Sequence, residues 1–159
     1  MKKLISFILI ISIFTGVTQA VALPRAFGVY EGSFETTLTI PDFTITNGFN
    51  NVTIESWDCT VTIFYRITYN LNTGKITNVT YLRSSLLSGD AISPDGLGYI
   101  TGITYETVVL TITSDGNAIR CTSPTYTINA LYYEAPELNA HQTRYTLSGS
   151  SETVYPPRD

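Results

Sequence analysis

Histidine is almost missing from this chain: among 159 residues only His141 carries an imidazole, and only Cys59 and Cys121 carry thiols. A zinc centre takes three or four such ligands, and a serine triad takes a histidine held between a serine and a carboxylate. With the two cysteines expected to pair, the zinc ligands are lacking, and no Gly-x-Ser-x-Gly turn marks a triad serine. His141 reads as a loop residue. Calcium loops place carboxylates at alternate positions, whereas Asp90, Asp95 and Asp115 stand in separate Gly-containing turns whose chemistry explains them. No metal or other cofactor is expected.

Charge is scarce as well. Nine basic and thirteen acidic residues give a net charge of −4, and the basic ones never cluster. An acidic chain with scattered charges lacks the footprint of a nucleic-acid or anionic-lipid partner. Glu31, Glu35, Glu55 and Glu106 fall in strand-like contexts and read as solvent-facing charge. A carboxylate-dependent hydrolase would need two of them within roughly 5–10 Å in a cleft. Only a cross-strand pair such as Glu35 with Glu106 offers that.

Also missing is an apolar run of the roughly 20 residues that a membrane helix requires. The longest, Leu4 to Phe14, follows Lys2 and Lys3 and precedes the small residues Gly16, Ala20 and Ala22. A basic start, a short apolar core and an Ala-x-Ala exit predict a secretory leader over residues 1–22. The short, lysine-led form suits a bacterium at least as well as a eukaryotic secretory route, and the destination would be periplasmic, cell-surface or extracellular. No transmembrane segment is expected once the leader is removed. In that oxidising setting the two cysteines predict a Cys59–Cys121 disulfide. By chain entropy such a bridge contributes about 4 kcal/mol.

What the chain does have is alternation. From Trp57 to Asn70, Cys59, Val61, Ile63, Tyr65, Ile67 and Tyr69 occupy every second position, with mostly polar residues between them. A period of two in β-branched and aromatic residues marks a strand with one buried face. Asn72-Thr73-Gly74 reverses the chain and Lys75 to Arg83 resumes the alternation, which predicts an antiparallel hairpin. Phe27–Ile40 predicts an earlier strand whose Gly28 and Gly32 allow close approach, and Pro41-Asp42 breaks it. Short strands follow over Phe43–Thr46 and Phe49–Glu55, around an Asn47-Gly48 turn.

Ser84 to Gly98 predicts the longest irregular stretch, a place where function often sits. Tyr99–Thr113 changes its apolar parity midway, from Tyr99, Ile103 and Tyr105 to Val108, Leu110 and Ile112, which predicts a bulge near Glu106–Val108. Ala118–Thr122 and Thr125–Tyr133 read as strands separated by Pro124, and Thr143–Ser148 as the last. Residues 134–142 read as a loop with room for one helical turn, and residues 149–159 as a flexible tail.

Seven to nine short strands predict an all-β body over residues 23–148, an antiparallel β-sandwich with one disulfide. The alternative is a small up-and-down barrel: Gly28-Val29-Tyr30 before a long bent strand resembles a lipocalin-like opening. The spacing of the cysteines falls in the range of an immunoglobulin-type bridge, but Ile119 replaces the corner tyrosine and no tryptophan follows Cys59.

Eleven tyrosines are the one suggestive surplus. Tyrosine offers broad contact area, a polar tip and little entropy loss. Tyr99, Tyr105, Tyr126, Tyr132 and Tyr133 are the candidate binding residues. The function predicted is an exported, non-catalytic binding module whose partner is a protein, a glycan or another copy of itself. A carrier of a small apolar ligand in a barrel cavity is the alternative, and a hydrolase comes third. Asn51-Val52-Thr53 and Asn78-Val79-Thr80 match the acceptor pattern for N-glycosylation, which has meaning only in a eukaryotic secretory route.

Overall fold

The computed structural model describes residues 26–47, 50–134 and 139–157. The leader predicted over residues 1–22 lies outside them. Nearly everything described is antiparallel strand: β1 (Phe27–Ile40), β2 (Phe43–Asn47), β3 (Asn50–Ile54), β4 (Trp57–Asn70), β5 (Ile76–Leu86), β6 (Gly98–Ile112), β7 (Ile119–Glu134), β8 (Asn139–Ser148) and β9 (Glu152–Val154). One 3-10 turn, Ser88–Ala91, interrupts the predicted irregular stretch.

The strands form three open sheets. One has the order β1-β4-β5, a small one pairs β2 with β3, and one has the order β6-β7-β8 with β9 also on β7. An up-and-down barrel would pair each strand with its neighbour in sequence. Here Pro41-Asp42 turns the chain away after β1, and β1 pairs with β4 along its whole length, from Phe27 opposite Asn70 to Ile40 opposite Trp57. The barrel alternative therefore does not hold.

The core follows the predicted alternation. The odd positions of β4 from Trp57 to Ile67 are all buried. Toward one end, Trp57, Cys59 and Val61 pack with Leu38 and Ile40 of β1, with Ile45 and Ile54 of the small hairpin, and with Tyr126, Ile128, Ala130 and Tyr132 of β7. Toward the other end Tyr65 and Ile67 pack with Ile76 and Ile119. Gly32 serves close approach: a Cβ there would stand 2.7 Å from the Tyr65 hydroxyl and 2.7 Å from the Tyr30 ring.

β7 is one strand where the sequence predicts two. Its buried positions change parity between Cys121 and Tyr126, and Ser123, with a positive φ of 32°, absorbs the shift. Pro124 has no N–H to give. Around it the chain after β8 supplies substitutes: the Gly149 N–H donates to the Pro124 carbonyl (2.9 Å), and the Ser123 N–H donates to the Ser151 hydroxyl (3.1 Å). Residues 149–159, read from the sequence as a flexible tail, thus hold β9, with Ile119 opposite Val154. The bulge predicted in β6 is present as register shifts between Tyr105 and Thr107 and between Thr107 and Val109. The predicted loop over 134–142 shrinks, since β8 begins at Asn139.

The predicted Cys59–Cys121 bridge is not formed. Both cysteines are free, buried thiols. Trp57 meets Tyr132 edge-on, with ring centroids 6.1 Å apart, which sets Cys59 near the level of Ala130. Cys121 lies nine residues down β7 from Ala130, roughly 30 Å at about 3.3 Å per residue. A disulfide tolerates a Cα separation of only about 4.4–6.8 Å.

Burial also makes the fold sensitive to alkali through its tyrosines. It pushes the Tyr65 and Tyr126 phenols up to about 12, with a smaller contribution from Tyr30 at Tyr65. An unfolded tyrosine ionises near about 10. The fold therefore favours the protonated phenol, a contribution fully present below about pH 10 and lost as pH rises from about 10 to about 12. A set of tyrosines that ionise only as the β signal disappears is the expected result of an alkaline titration followed by tyrosinate absorbance. Complete ionisation near pH 10 with the fold intact would contradict this packing.

Candidate functional site

The five tyrosines singled out in the sequence part company along β6 and β7. Tyr126 and Tyr132 point inward and are fully buried. The Tyr126 hydroxyl meets the Ser84 hydroxyl at 3.1 Å, and the Tyr132 hydroxyl meets that of Tyr145 at 3.1 Å. These two belong to the core and offer nothing to a partner. Tyr105 lies opposite Tyr126 in the ladder; its side chain is outside the described set.

Tyr99 and Tyr133 do come together, on the outer face of the β6-β7-β8 sheet. Period two puts Leu131 and Tyr133 opposite in orientation to the buried Ala130 and Tyr132. Tyr99 pairs with Leu131, so Tyr133 is its diagonal neighbour, within reach of a long ring. Their ring centroids are 5.5 Å apart at 82°, an edge-to-face contact.

Ser93 to Gly98 builds the wall beside them. Ser93-Pro94-Asp95-Gly96 is a tight turn: the Gly96 N–H donates to the Ser93 carbonyl (2.9 Å), with Gly96 at φ +73°. Asp95 Oδ1 accepts from the Ser93 hydroxyl (2.6 Å) and from the Leu97 N–H (3.0 Å). Next, the Tyr133 N–H donates to the Leu97 carbonyl at 2.8 Å, which fastens the turn to the end of β7. The result is a groove of about 600 Å³ lined by Gly96, Leu97, Tyr99, Ile100, Thr101, Leu131 and Tyr133. No ionisable carboxylate, amine or imidazole is in that lining. The sequence pointed to both the tyrosines and the irregular stretch, but not to Ile100, Thr101 or Leu131, which are ordinary strand residues until the ladder brings them together.

The four glutamates singled out in the sequence lie in β1 (Glu31, Glu35), just after β3 (Glu55) and in β6 (Glu106). Glu31 is taken by Arg66, with Nε donating to Oε1 at 2.7 Å. Glu35 lies opposite Thr62 on β1, while Glu106 belongs to β6, in the other sheet; its side chain is not described. Glu55 shares a recess of about 400 Å³ with Thr53, Pro94 and Asp95, but the Asp95 carboxylate already caps its own turn. His141, read as a loop residue, is in β8 opposite Tyr132. Its Nε2 stands 3.8 Å from Glu134 Oε2, and its ring lies 6.4 Å from that of Phe43. Among the described residues no group of three or more His, Cys, Asp or Glu side chains could hold a metal ion, and no helix is long and apolar enough to cross a membrane. No family model, curated protein or solved structure matches the chain.

Proposed function

We propose that this chain is an exported, non-catalytic β-sandwich that binds a partner through the Tyr99–Tyr133 groove. The observation that carries the reading is the aromatic pair itself: two tyrosines, held edge to face on an outer sheet face, beside a turn that their own backbone anchors. Grooves of this size with an apolar lining and few polar tips suit a ligand of drug or disaccharide dimensions. The lining mixes ring faces with hydroxyls and carries no charge, so a neutral glycan comes ahead of a protein surface or a second copy of the chain. The sandwich reading rests on the inner faces of the two larger sheets meeting in one core. Export rests on the leader predicted over residues 1–22.

The carrier alternative has less support, because large side chains such as Tyr65, Tyr126 and Tyr132 fill the space between the sheets. The test is capture on an array of neutral oligosaccharides, followed by the same measurement with Tyr99→Ala and Tyr133→Ala. An aromatic anchor at the centre of a site contributes about 2 kcal/mol or more, roughly thirtyfold in affinity. Both variants are expected to lose about that much and to keep the melting temperature of the parent protein. Equal capture by parent and variants would remove the groove from consideration. A parent protein that captures no glycan would shift the reading to self-association, to be read by sedimentation.

A further inference from the structure

We propose that Asn78 is a modification site, taking an N-linked oligosaccharide when the exported chain meets a lipid-linked sugar donor. The inference rests on the export reading and is independent of the groove.

The acceptor pattern Asn78-Val79-Thr80 lies in β5. Asn78 and Thr80 are both exposed, while Val79 between them packs against the core around Tyr65 and Ile67. Residues i and i+2 of a strand share a face, and here the two side chains meet: Asn78 Nδ2 donates to Thr80 Oγ1 at 3.4 Å. Transfer takes the Asn78 amide nitrogen and requires the hydroxyl two residues on, and here both groups stand together on one exposed face. The folded chain also accommodates the product, since an exposed Asn78 can carry a bulky polar group at no cost in packing.

Asn51-Val52-Thr53 has the same pattern and exposed end residues in β3. Its Thr53 hydroxyl instead meets Thr44 of β2 at 3.0 Å. Asn78 is therefore the site in which carboxamide and hydroxyl are paired with each other.

In the transfer, the Asn78 amide nitrogen attacks the anomeric carbon of a lipid-diphosphate oligosaccharide. A carbon–nitrogen bond forms, and the bond from that carbon to the phosphate oxygen breaks. The lipid diphosphate leaves with the electron pair, and one amide proton passes to a base of the transferase. No redox partner is needed.

The experiment is secretion of the full chain from a eukaryotic cell line, with intact mass read before and after peptide N-glycosidase. A second version, with residues 1–22 replaced by a leader known to direct secretion, separates failure of export from failure of modification. The expected result is an added mass that the glycosidase removes, leaving aspartate at position 78 in the peptide map. It should be lost in Asn78→Gln and in Thr80→Ala, and retained in Thr80→Ser. Secreted protein that carries no glycan at Asn78 would overturn the proposal, as would a glycan there that survives Thr80→Ala.

Discussion

Tyr132→Ala is expected to destabilise the protein by about 3–5 kcal/mol, the usual cost of removing a buried aromatic ring. That is a large share of the roughly 5–15 kcal/mol that holds a typical domain together. The reason lies in how many neighbours the ring serves. It stacks on Phe43 with centroids 4.3 Å apart and 10° between planes. It meets Trp57 in a T-shaped contact, and its hydroxyl bonds to that of Tyr145. Phe43 belongs to β2, so the stack also fastens the small hairpin over the end of the core. Loss of the ring leaves a cavity and loosens the hairpin together. Tyr132→Phe removes only the hydroxyl contact and should cost about 1 kcal/mol.

Tyr133→Ala, one residue away but on the outer face, should cost far less than Tyr132→Ala. Urea unfolding with unchanged slope measures all three. Equal losses at positions 132 and 133 would mean that the two faces of β7 have been assigned wrongly.

Thiol reactivity gives the second large effect. Burial, with Asp90 and Asp58 as lesser causes, pushes the Cys59 thiol up to about 11. Burial and then Glu152 push Cys121 up to about 11 as well. Only the thiolate reacts. Against an ordinary cysteine near 8.5, a thiol at about 11 holds at least a hundredfold less thiolate at pH 8, before any steric shielding. Labelling of the folded protein without reductant should therefore be slower by at least about a hundredfold than labelling of the unfolded protein. The unfolded protein should then yield two thiols per chain. Zero thiols in denaturant would mean a bridge between Cys59 and Cys121, and β7 would then have to slide along β4 to bring them together. Fast labelling of the native protein would contradict the burial of both.

Much of this architecture was legible in the residues. β1 and β4 run over the predicted bounds, because uninterrupted period-two patterns of β-branched and aromatic residues leave no competing structure. The β6 bulge was legible for the same reason, since a one-residue shift in an alternation can be absorbed only by an extra residue. Pro124 was misleading. A proline usually ends a central strand, but Gly149 and Ser151 bond the Pro124 carbonyl and the Ser123 N–H from a segment 25 or more positions later, which local sequence does not announce.

By itself, the sequence determined that the chain folds as antiparallel strands, where most of them lie, and which residues share a face along each. Period two contains that much and no more: it says that Tyr132 and Tyr133 point opposite ways, not which of them meets a second sheet. Only the tertiary structure decided that Tyr126 and Tyr132 are core while Tyr99 and Tyr133 flank a groove. It also decided that Cys59 and Cys121 stand at different levels of the core and that His141 faces Glu134. Those outcomes depend on how β7 is set against β4 and how β8 is registered on β7, and contacts between strands far apart in sequence settle both.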